Sequence, residues 1–475
     1  MIHQISLYNT RGRTIEKFVP HQEKNVTMYT CGPTVYHYAH IGNLRSYIME
    51  DALEKLLVYC GYDVRRVMNI TDVGHIVGDA DSGEDKMAVG ARRERKTALE
   101  IAEFYTSAFF ADCEKLNIKK PEIVVPATSC MDEIIRLVGL LLEKKYAYRS
   151  GGNVYFDTSR LDDYYVLTDH VAEDLAVGVR DDVEEDGNKR NKTDFVLWFT
   201  RSKFANQELR WDSPWGVGYP GWHIECSAIA LQHLGEHLDL HCGGIDNIFP
   251  HHTNEITQSE AVLGHKWCGC WFHVQHLVAR DGKMSKSDGD FLTMQRLQEK
   301  GYDPLAYRFF CLQSHYRKPL TFGEEAMDNA ARTYRKLRER IARLNPVGQI
   351  DKSLTDEYRV RFIESLGDDL NTSLGVTLLY DTLKDERLGD AIKLALVRDF
   401  DRVLSLDLYG QLGHGQKRDA ELEAYVERRI DDRLAARKNG DYALADEIRD
   451  ELQGKGVALK DTREGTKWEY LKSDC

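Results

Sequence analysis

The sequence predicts an α/β fold: a doubly wound parallel sheet split by an insertion, then an α-helical bundle and a small mixed C-terminal domain. Three observations carry this expectation. A strand–helix–strand pattern opens the chain between residues 26 and 71. Strand and helix patterns alternate again from about 222 to 277. Beyond about 325 the strand patterns stop, and only long helical periodicity continues to about 410. Strands alternating with helices form parallel sheets, because each crossover helix must pack back on the sheet.

In order along the chain, residues 26–31 (VTMYTC) read as a short buried strand ending in a Gly-Pro turn. Leu44 to Cys60 carries apolar residues at 44, 48, 52, 53, 56 and 57, the spacing of an amphipathic helix, and Gly61 suits its stop. Asp63 to Thr71 (DVRRVMNIT) is the next strand, and 79–120 is helical and rich in charge. From 121 to 212 the pattern weakens: NVYFDT and FVLWFT flank an acidic run, Asp181 to Asp186, that reads as a solvated loop. A helix over 222–234, a strand near His237–Cys242, a helix over 250–263 and a strand near Trp271–Leu277 follow. The expected segments are therefore 1–120 and 213–275 as the two halves of the sheet domain, 121–212 as a connective insertion, 276–330 as a connecting region, 331–410 as the helical bundle, and 411–475 as the tail domain.

The chain has 475 residues, room for about three domains. At 42% hydrophobic and 30% charged residues it can bury several cores and is not a disordered chain. No run of about 18 apolar residues occurs, and the start MIHQISLYNTRGRT is too polar for a secretory signal. A cytoplasmic protein with no membrane partner is expected. Ten cysteines are too sparse for a disulfide scaffold and fit a reducing compartment, with some thiols free to bind metal. The net charge of −13, from 64 basic and 77 acidic residues, argues as an average against nucleic acid. Its distribution argues the other way. Residues 331–344 (ARTYRKLRERIARL) hold six basic residues and one acidic, and Arg428, Arg429, Arg433, Arg437 and Lys438 form a second cluster.

Two elements suit a nucleotide. His40-Ile41-Gly42-Asn43 follows the first strand and opens the following helix, whose N-terminus presents unpaired N–H groups to phosphate. Gly42 allows close approach to the backbone, while His40 and Asn43 add side-chain donors. Lys283-Met284-Ser285-Lys286-Ser287 lies in a polar Gly-flanked stretch after the last strand, where its lysines could neutralise a pyrophosphate leaving group. The pair strongly resembles the HIGH and KMSKS signatures of class I aminoacyl-tRNA synthetases. The second is an intact match, and the first departs at Asn43, where His is usual. The resemblance implies a split Rossmann-like catalytic domain. It also implies ATP binding by His40, Gly42, Asn43, Lys283, Ser285 and Lys286, with His40, Asn43, Lys283 and Lys286 acting in catalysis.

Cys31, Cys226, His251 and Glu255 stand near strand and helix ends expected to converge at one edge of the sheet. Two thiolates, an imidazole and a carboxylate suit Zn²⁺. Taken alone, each cysteine reads first as an inert buried thiol, and His251 with Glu255 as an ordinary i,i+4 pair. Their settings, TCGPTVY, PGWHIECS and FPHHTNE, resemble motifs of cysteinyl-tRNA synthetases over nearly the whole chain. The resemblance implies one zinc per chain on those four residues at the floor of the amino-acid pocket. It further implies contacts to substrate cysteine from Gly32, Thr71, Trp222 and Asp246. Such a zinc would separate cysteine from serine, which an apolar pocket cannot do strongly, since a thiolate is a far better ligand than a hydroxyl. Gly74-His75 and Tyr219 depart from the family pattern. Cys268 and Cys270 match no metal motif there and read as structural thiols.

The endings ARKNGDYALAD and GVALKDTREGTKW resemble the family's anticodon-binding domain. By that match Arg437, Asp446 and Asp461 would hydrogen-bond anticodon bases, and Tyr442 would stack on one. The expected activity is ATP-dependent ligation of L-cysteine to tRNA-Cys through a cysteinyl-adenylate, with Mg²⁺ accompanying ATP, by a monomer. The 276–330 region would then contact the tRNA stem. A ligase joining cysteine to an amino sugar would share the catalytic half but lack the tail. A zinc-stabilised tRNA-binding module without catalysis would not need Lys283 to Ser287, and a small-molecule nucleotidylyltransferase would lack the four metal ligands.

Overall fold

The computed structural model describes residues 2–73, 97–168, 186–201, 209–279, 292–409, 425–426, 428–437, 441–454, 457–462 and 465–470. Two compact units divide the chain, Met1–Leu406 and Asp407–Cys475. Among the described residues no helix is long and apolar enough to cross a membrane.

The first unit opens on an antiparallel hairpin, β1 (Ser6–Asn9) and β2 (Thr14–Lys17), with Ser6 opposite Lys17. Five parallel strands follow: β3 (Asn25–Thr30), β4 (Asp63–Ile70), β5 (Ile123–Pro126), β10 (Leu238–Gly244) and β11 (Cys268–Val274). Their order across the sheet is β11-β10-β3-β4-β5. The chain builds outward from β3 to β5, then returns to the other side of β3. The C-terminal ends of β3 and β10 thus flank a topological switch point, where open α/β sheets bind ligands. Helix α1 (Ile41–Tyr59) joins β3 to β4, and α2 (Ala98–Lys115) precedes β5.

Between the halves, α3 (Met131–Glu143) is followed by an antiparallel sheet of β6 (Ala147–Ser150), β7 (Asn153–Phe156), β8 (Phe195–Phe199) and β9 (Tyr219–Pro220). β7 and β8 are buried on both faces, which explains why they read as apolar runs without alternation. The expected insertion, 121–212, is displaced at both ends. Ile123–Pro126 is the outer strand of the parallel sheet, and Tyr219–Pro220 still belongs to the antiparallel one. Four- and two-residue strands are too short to show a period. The acidic run at 181–185 lies outside the described residues.

The second half adds α4 (Trp222–Leu234) and α5 (Thr253–Leu263). A π-helical turn, Ile248–His252, precedes α5 where a helix from 250 was expected, because Phe249 is extended at φ −137° and ψ 133°. The last sheet strand ends at Val274. Leu277–Ala279 (β12) is a separate strand pairing with β13 (Leu320–Phe322), so the expected single strand Trp271–Leu277 straddles two elements. Helices α6 (Met294–Glu299), α7 (Pro304–Leu312), α8 (Glu324–Ala342), α9 (Lys352–Gly367), α10 (Thr372–Lys384) and α11 (Asp390–Leu404) complete the unit. In the second unit, Val426, Ile430, Ile448 and Leu452 form a small core between residues 428–437 and α12 (Tyr442–Gly454). A hairpin of β14 (Val457–Thr462) and β15 (Gly465–Tyr470) follows.

α1 is covered by the sheet on one side and by α7, α9 and α11 on others, so even its acids are buried. Asp51 pairs with the buried Arg308 at 2.7 Å and with Lys55 at 2.8 Å. Glu54 meets Arg66 at 3.1 Å and Lys119 at 2.7 Å. Glu50 differs: among the described residues neither carboxylate oxygen has a hydrogen-bond partner. Burial pushes its carboxyl up to about 8, only partly offset by the Arg66 charge.

This raised value fixes a pH dependence. Between the ordinary value of 4.5 and about 8, the folded chain keeps a proton that the unfolded chain releases. Stability therefore falls as pH rises through that window, by up to roughly 1.4 kcal/mol per unit. Glu50→Gln is expected to flatten this decline, measured as urea unfolding midpoints from pH 5 to 8. Parallel profiles for the two proteins would contradict the assignment.

Candidate metal and nucleotide site

The backbone past β3 is held on both sides. Cys31 N–H donates to Cys242 of β10 at 3.2 Å, and Val35 N–H to Thr71, just past β4, at 3.3 Å. Gly32 fits because it has no side chain: a Cβ there would stand 1.6 Å from the carbonyl oxygen of Asn69. Its N–H donates to Asn69 Oδ1 at 2.8 Å; Asn69 Nδ2 donates to Thr71 Oγ1 at 3.0 Å; and Thr71 Oγ1 donates to Glu225 of α4 at 3.2 Å.

Cys31, Cys226, His251 and Glu255 meet beneath this edge, each offering a ligand atom, all within 4.8 Å of one another. β3 delivers Cys31 and α4 delivers Cys226. His251 lies in the π-helical turn, and Glu255 lies in the first turn of α5. His251 Nε2 is 2.9 Å from Glu255 Oε1. The Cys226 thiol is held down, to about 6, by the hydrogen bond from Cys31 and by His251, against burial and Glu255. Burial and the Cys226 charge raise Cys31. For His251 burial acts downward, but Glu255 and Cys226 prevail and lift it to about 10. For Glu255 burial acts upward, and His241 with His251 overcome it, holding the carboxyl at about 2. Such a donor set, acidic and buried, fits a soft divalent cation such as Zn²⁺.

A second group overlaps the first: Cys31, His241, His252 and Glu255 also lie within 4.8 Å of one another. His241 Nε2 lies 2.8 Å from Glu255 Oε2, His252 Nδ1 lies 2.7 Å from His273 Nε2, and the Thr10 hydroxyl reaches the other ring nitrogen, His273 Nδ1, at 2.7 Å. Burial, with His241, keeps His252 and His273 well below the usual histidine range, His273 at about 3. Sequence reasoning missed this inner layer. Its signal is the crowding of histidines from 223 to 276, with His251 and His252 adjacent.

Trp222 stacks on His251, with ring centroids 4.4 Å apart and planes 5° from parallel, so it flanks the metal ligands as well as the expected substrate side chain. Asp246 lies exposed in the 3₁₀ turn just past β10, where a Cβ on Gly244 would come within 2.4 Å of its Oδ1. Cys268 and Cys270 are buried in β11 and belong to neither ligand group.

The first signature caps α1. His40 Nδ1 accepts from Asn43 N–H at 3.1 Å, and Asn43 Oδ1 accepts from His40 N–H at 3.4 Å. This reciprocal cap starts the helix at Ile41, three residues before the apolar pattern begins. With Nδ1 accepting, a neutral His40 ring carries its proton on Nε2, and Asn43, its oxygen engaged, keeps an amide donor. The unusual Asn43 thus closes the cap and preserves donor character. Lys283, Ser285 and Lys286 lie outside the described residues, as do Gly74 and His75. Tyr219 is buried and stacks on Phe199 at 4.9 Å.

In the second unit, Tyr442 is 65% exposed, and Asp446 lies exposed one turn on along α12. Arg437 is exposed at the end of residues 428–437. Asp461 lies on β14. The expected basic cluster there is partly spent within the fold. Arg429 binds Glu451 at 2.5 Å and Asp432 at 3.0 Å, and Arg433 is buried.

Residues 17–332 match the family model described as the class I (C) tRNA synthetase catalytic domain. A curated cysteine–tRNA ligase of Treponema denticola is 44% identical, covering 98% of this chain and 100% of that protein. One of Borreliella burgdorferi is 43% identical, covering 98% and 99%. Among solved structures, a Mycobacterium tuberculosis methionyl-tRNA synthetase in complex with methionyl-adenylate aligns over 81% of this chain and 90% of its own, with a TM-score of 0.53. At 14% identity that likeness concerns the fold alone. On the matched catalytic domain and these near-full-length relatives, the chain belongs to the class I aminoacyl-tRNA synthetases, within the cysteine–tRNA ligase family.

Proposed function

We propose that this protein activates L-cysteine with ATP-Mg²⁺ to cysteinyl-adenylate and transfers the cysteinyl group to the terminal ribose of tRNA-Cys. The observation that carries this reading is the quartet Cys31, Cys226, His251 and Glu255 at the switch point, beside a helix cap built from His40 and Asn43. When bound there, Zn²⁺ would favour a thiolate over a hydroxyl and so tell cysteine from serine. Cys226, already acidic, suits that ion.

The chain's own residues do the rest by positioning and charge stabilisation. Thr71 and Asp246 hold the substrate's backbone, Asp246 by pairing with its ammonium. Gly32, at the exit of β3, meets it through its backbone. Trp222 flanks the side chain. The Nε2–H of His40, the Asn43 amide and the start of α1 at Gly42 face the phosphates. Lys283, Ser285 and Lys286 neutralise the leaving pyrophosphate. Arg437, Asp446, Asp461 and Tyr442 read unpaired anticodon bases.

Three outcomes test this. The wild type is expected to catalyse cysteine-dependent exchange of labelled pyrophosphate into ATP and to charge purified tRNA-Cys; exchange without charging would refute the ligase. Cys226→Ser is expected to lower zinc affinity at least ~10-fold and erode the preference for cysteine over serine. Retention of full zinc content and full selectivity would show the ligand set to be wrong. Tyr442→Ala, at an exposed position, is expected to weaken tRNA binding by about 1–3 kcal/mol through lost stacking, with the defect in charging and not in exchange.

A further inference from the structure

The proposed chemistry leaves Arg45 unused. Arg45, in the second turn of α1, is fully buried, and among the described residues no carboxylate accepts from its guanidinium. Four backbone carbonyls do. Nη1 donates to Gln275 at 2.7 Å and His276 at 2.6 Å, while Nη2 donates to Lys318 at 2.7 Å and, more loosely, to His315 at 3.5 Å. A planar fork of fixed donors can bridge two backbone segments in this way; an ammonium, with donors radiating from one point, cannot.

The two segments are not arbitrary. Gln275–His276 joins β11 to β12, the strand that carries the chain out toward Lys283. The turn 315–318 supports that junction from behind: Gln275 N–H donates to Tyr316 at 2.8 Å, and Leu320 N–H to His276 at 3.1 Å. Gly42 faces the same strand, and a Cβ on it would stand 3.7 Å from Leu277 Cβ. On the return path, Ile41 N–H donates to Leu292 at 2.9 Å, and His40 bridges to Thr293. Residues 280–291, which include the lysine-serine motif, thus leave and rejoin the described fold on backbone hung directly from the first signature helix.

We propose that Arg45 is a positioning residue for adenylation: it fixes where the approach to the second signature stands relative to the first. This rests on the ligase reading above. Arg45 is buried and works only through the carbonyls it holds, so its loss shifts the frame on which the phosphate-facing groups are mounted. The cysteine pocket hangs on other ties, the exits of β3 and β4 and the helices α4 and α5, and is spared.

The test uses the full chain with Arg45→Met and Arg45→Lys. Pyrophosphate exchange is measured per active site, with sites counted from the burst of adenylate, together with the KM for cysteine and the zinc content. The expected result is a fall in kcat of ~100-fold for Arg45→Met, as for a displacement of about an ångström, with a smaller fall for Arg45→Lys. Cysteine KM and zinc content stay at wild-type values. Should Arg45→Met not fold, Arg45→Lys, which keeps the charge and most of the volume, carries the measurement. A kcat per counted site equal to wild type, with only fewer active molecules, would overturn the proposal and leave Arg45 as a stabilising residue. Absence of cysteine-dependent exchange in the wild type would instead refute the ligase reading beneath it.

Discussion

The site depends first on how closely two strand exits pass each other. Gly32 lies against the carbonyl of Asn69 so tightly that no side chain fits between them. The same asparagine then clamps the Gly32 amide and the Thr71 hydroxyl. Cys31 and Thr71, a candidate metal donor and a residue expected to hold the substrate, are therefore held in one frame. Thr71 in turn reaches Glu225, the neighbour of Cys226, so α4 is brought into the same frame. Gly243 repeats the device at the end of β10, where a Cβ would come within 2.6 Å of Asn247 and 2.9 Å of His252. Both switch-point strands end on residues whose lack of a side chain lets the active backbone close up.

Behind that frame lies a buried polar layer that must be satisfied as a whole. His241, His252 and His273 share bonds with Glu255 and Thr10, and the rings of His241 and Trp271 stack at 4.5 Å. In a low-dielectric interior such a chain orients its members strongly and penalises any gap. It presents Glu255 from below while Trp222 orients His251 from the side. Glu255 therefore answers to two imidazoles, one in the outer quartet and one in the inner layer.

The parallel sheet, α1, α4 and the quartet were legible because each left a local trace: strand runs, apolar periodicity, or a motif with fixed spacing. What escaped notice left a weaker trace or none. The two-residue strand Tyr219–Pro220 has no period to read. The π-helical turn before α5 conceals an extended residue inside an otherwise helical pattern. His241, in a strand of hydrophobic character, reads as one polar residue among apolar ones. Its role depends on Glu255 fourteen positions later and on Trp271 in the neighbouring strand. Arg45 looks like a charge on a helix face, and nothing nearby announces that carbonyls some 230 residues away surround it.

The same blindness affects net charge. A sum of −13 treats every acid as facing solvent. In α1, however, Asp51 and Glu54 are neutralised inside the fold by Arg308 and Arg66, and Glu50, with its carboxyl pushed up to about 8, is largely uncharged at neutral pH. Glu255 is matched by a histidine lifted to about 10. Meanwhile Arg335, Lys336 and Arg343 stay exposed on and just beyond α8. A polyanion approaching in physiological salt senses charges within about 8 Å, so it meets those side chains and not the sum. Burying an acid with a base leaves the formal total unchanged, so the total says nothing of where on the surface the remaining charges lie, and the local face decides what a polyanion meets.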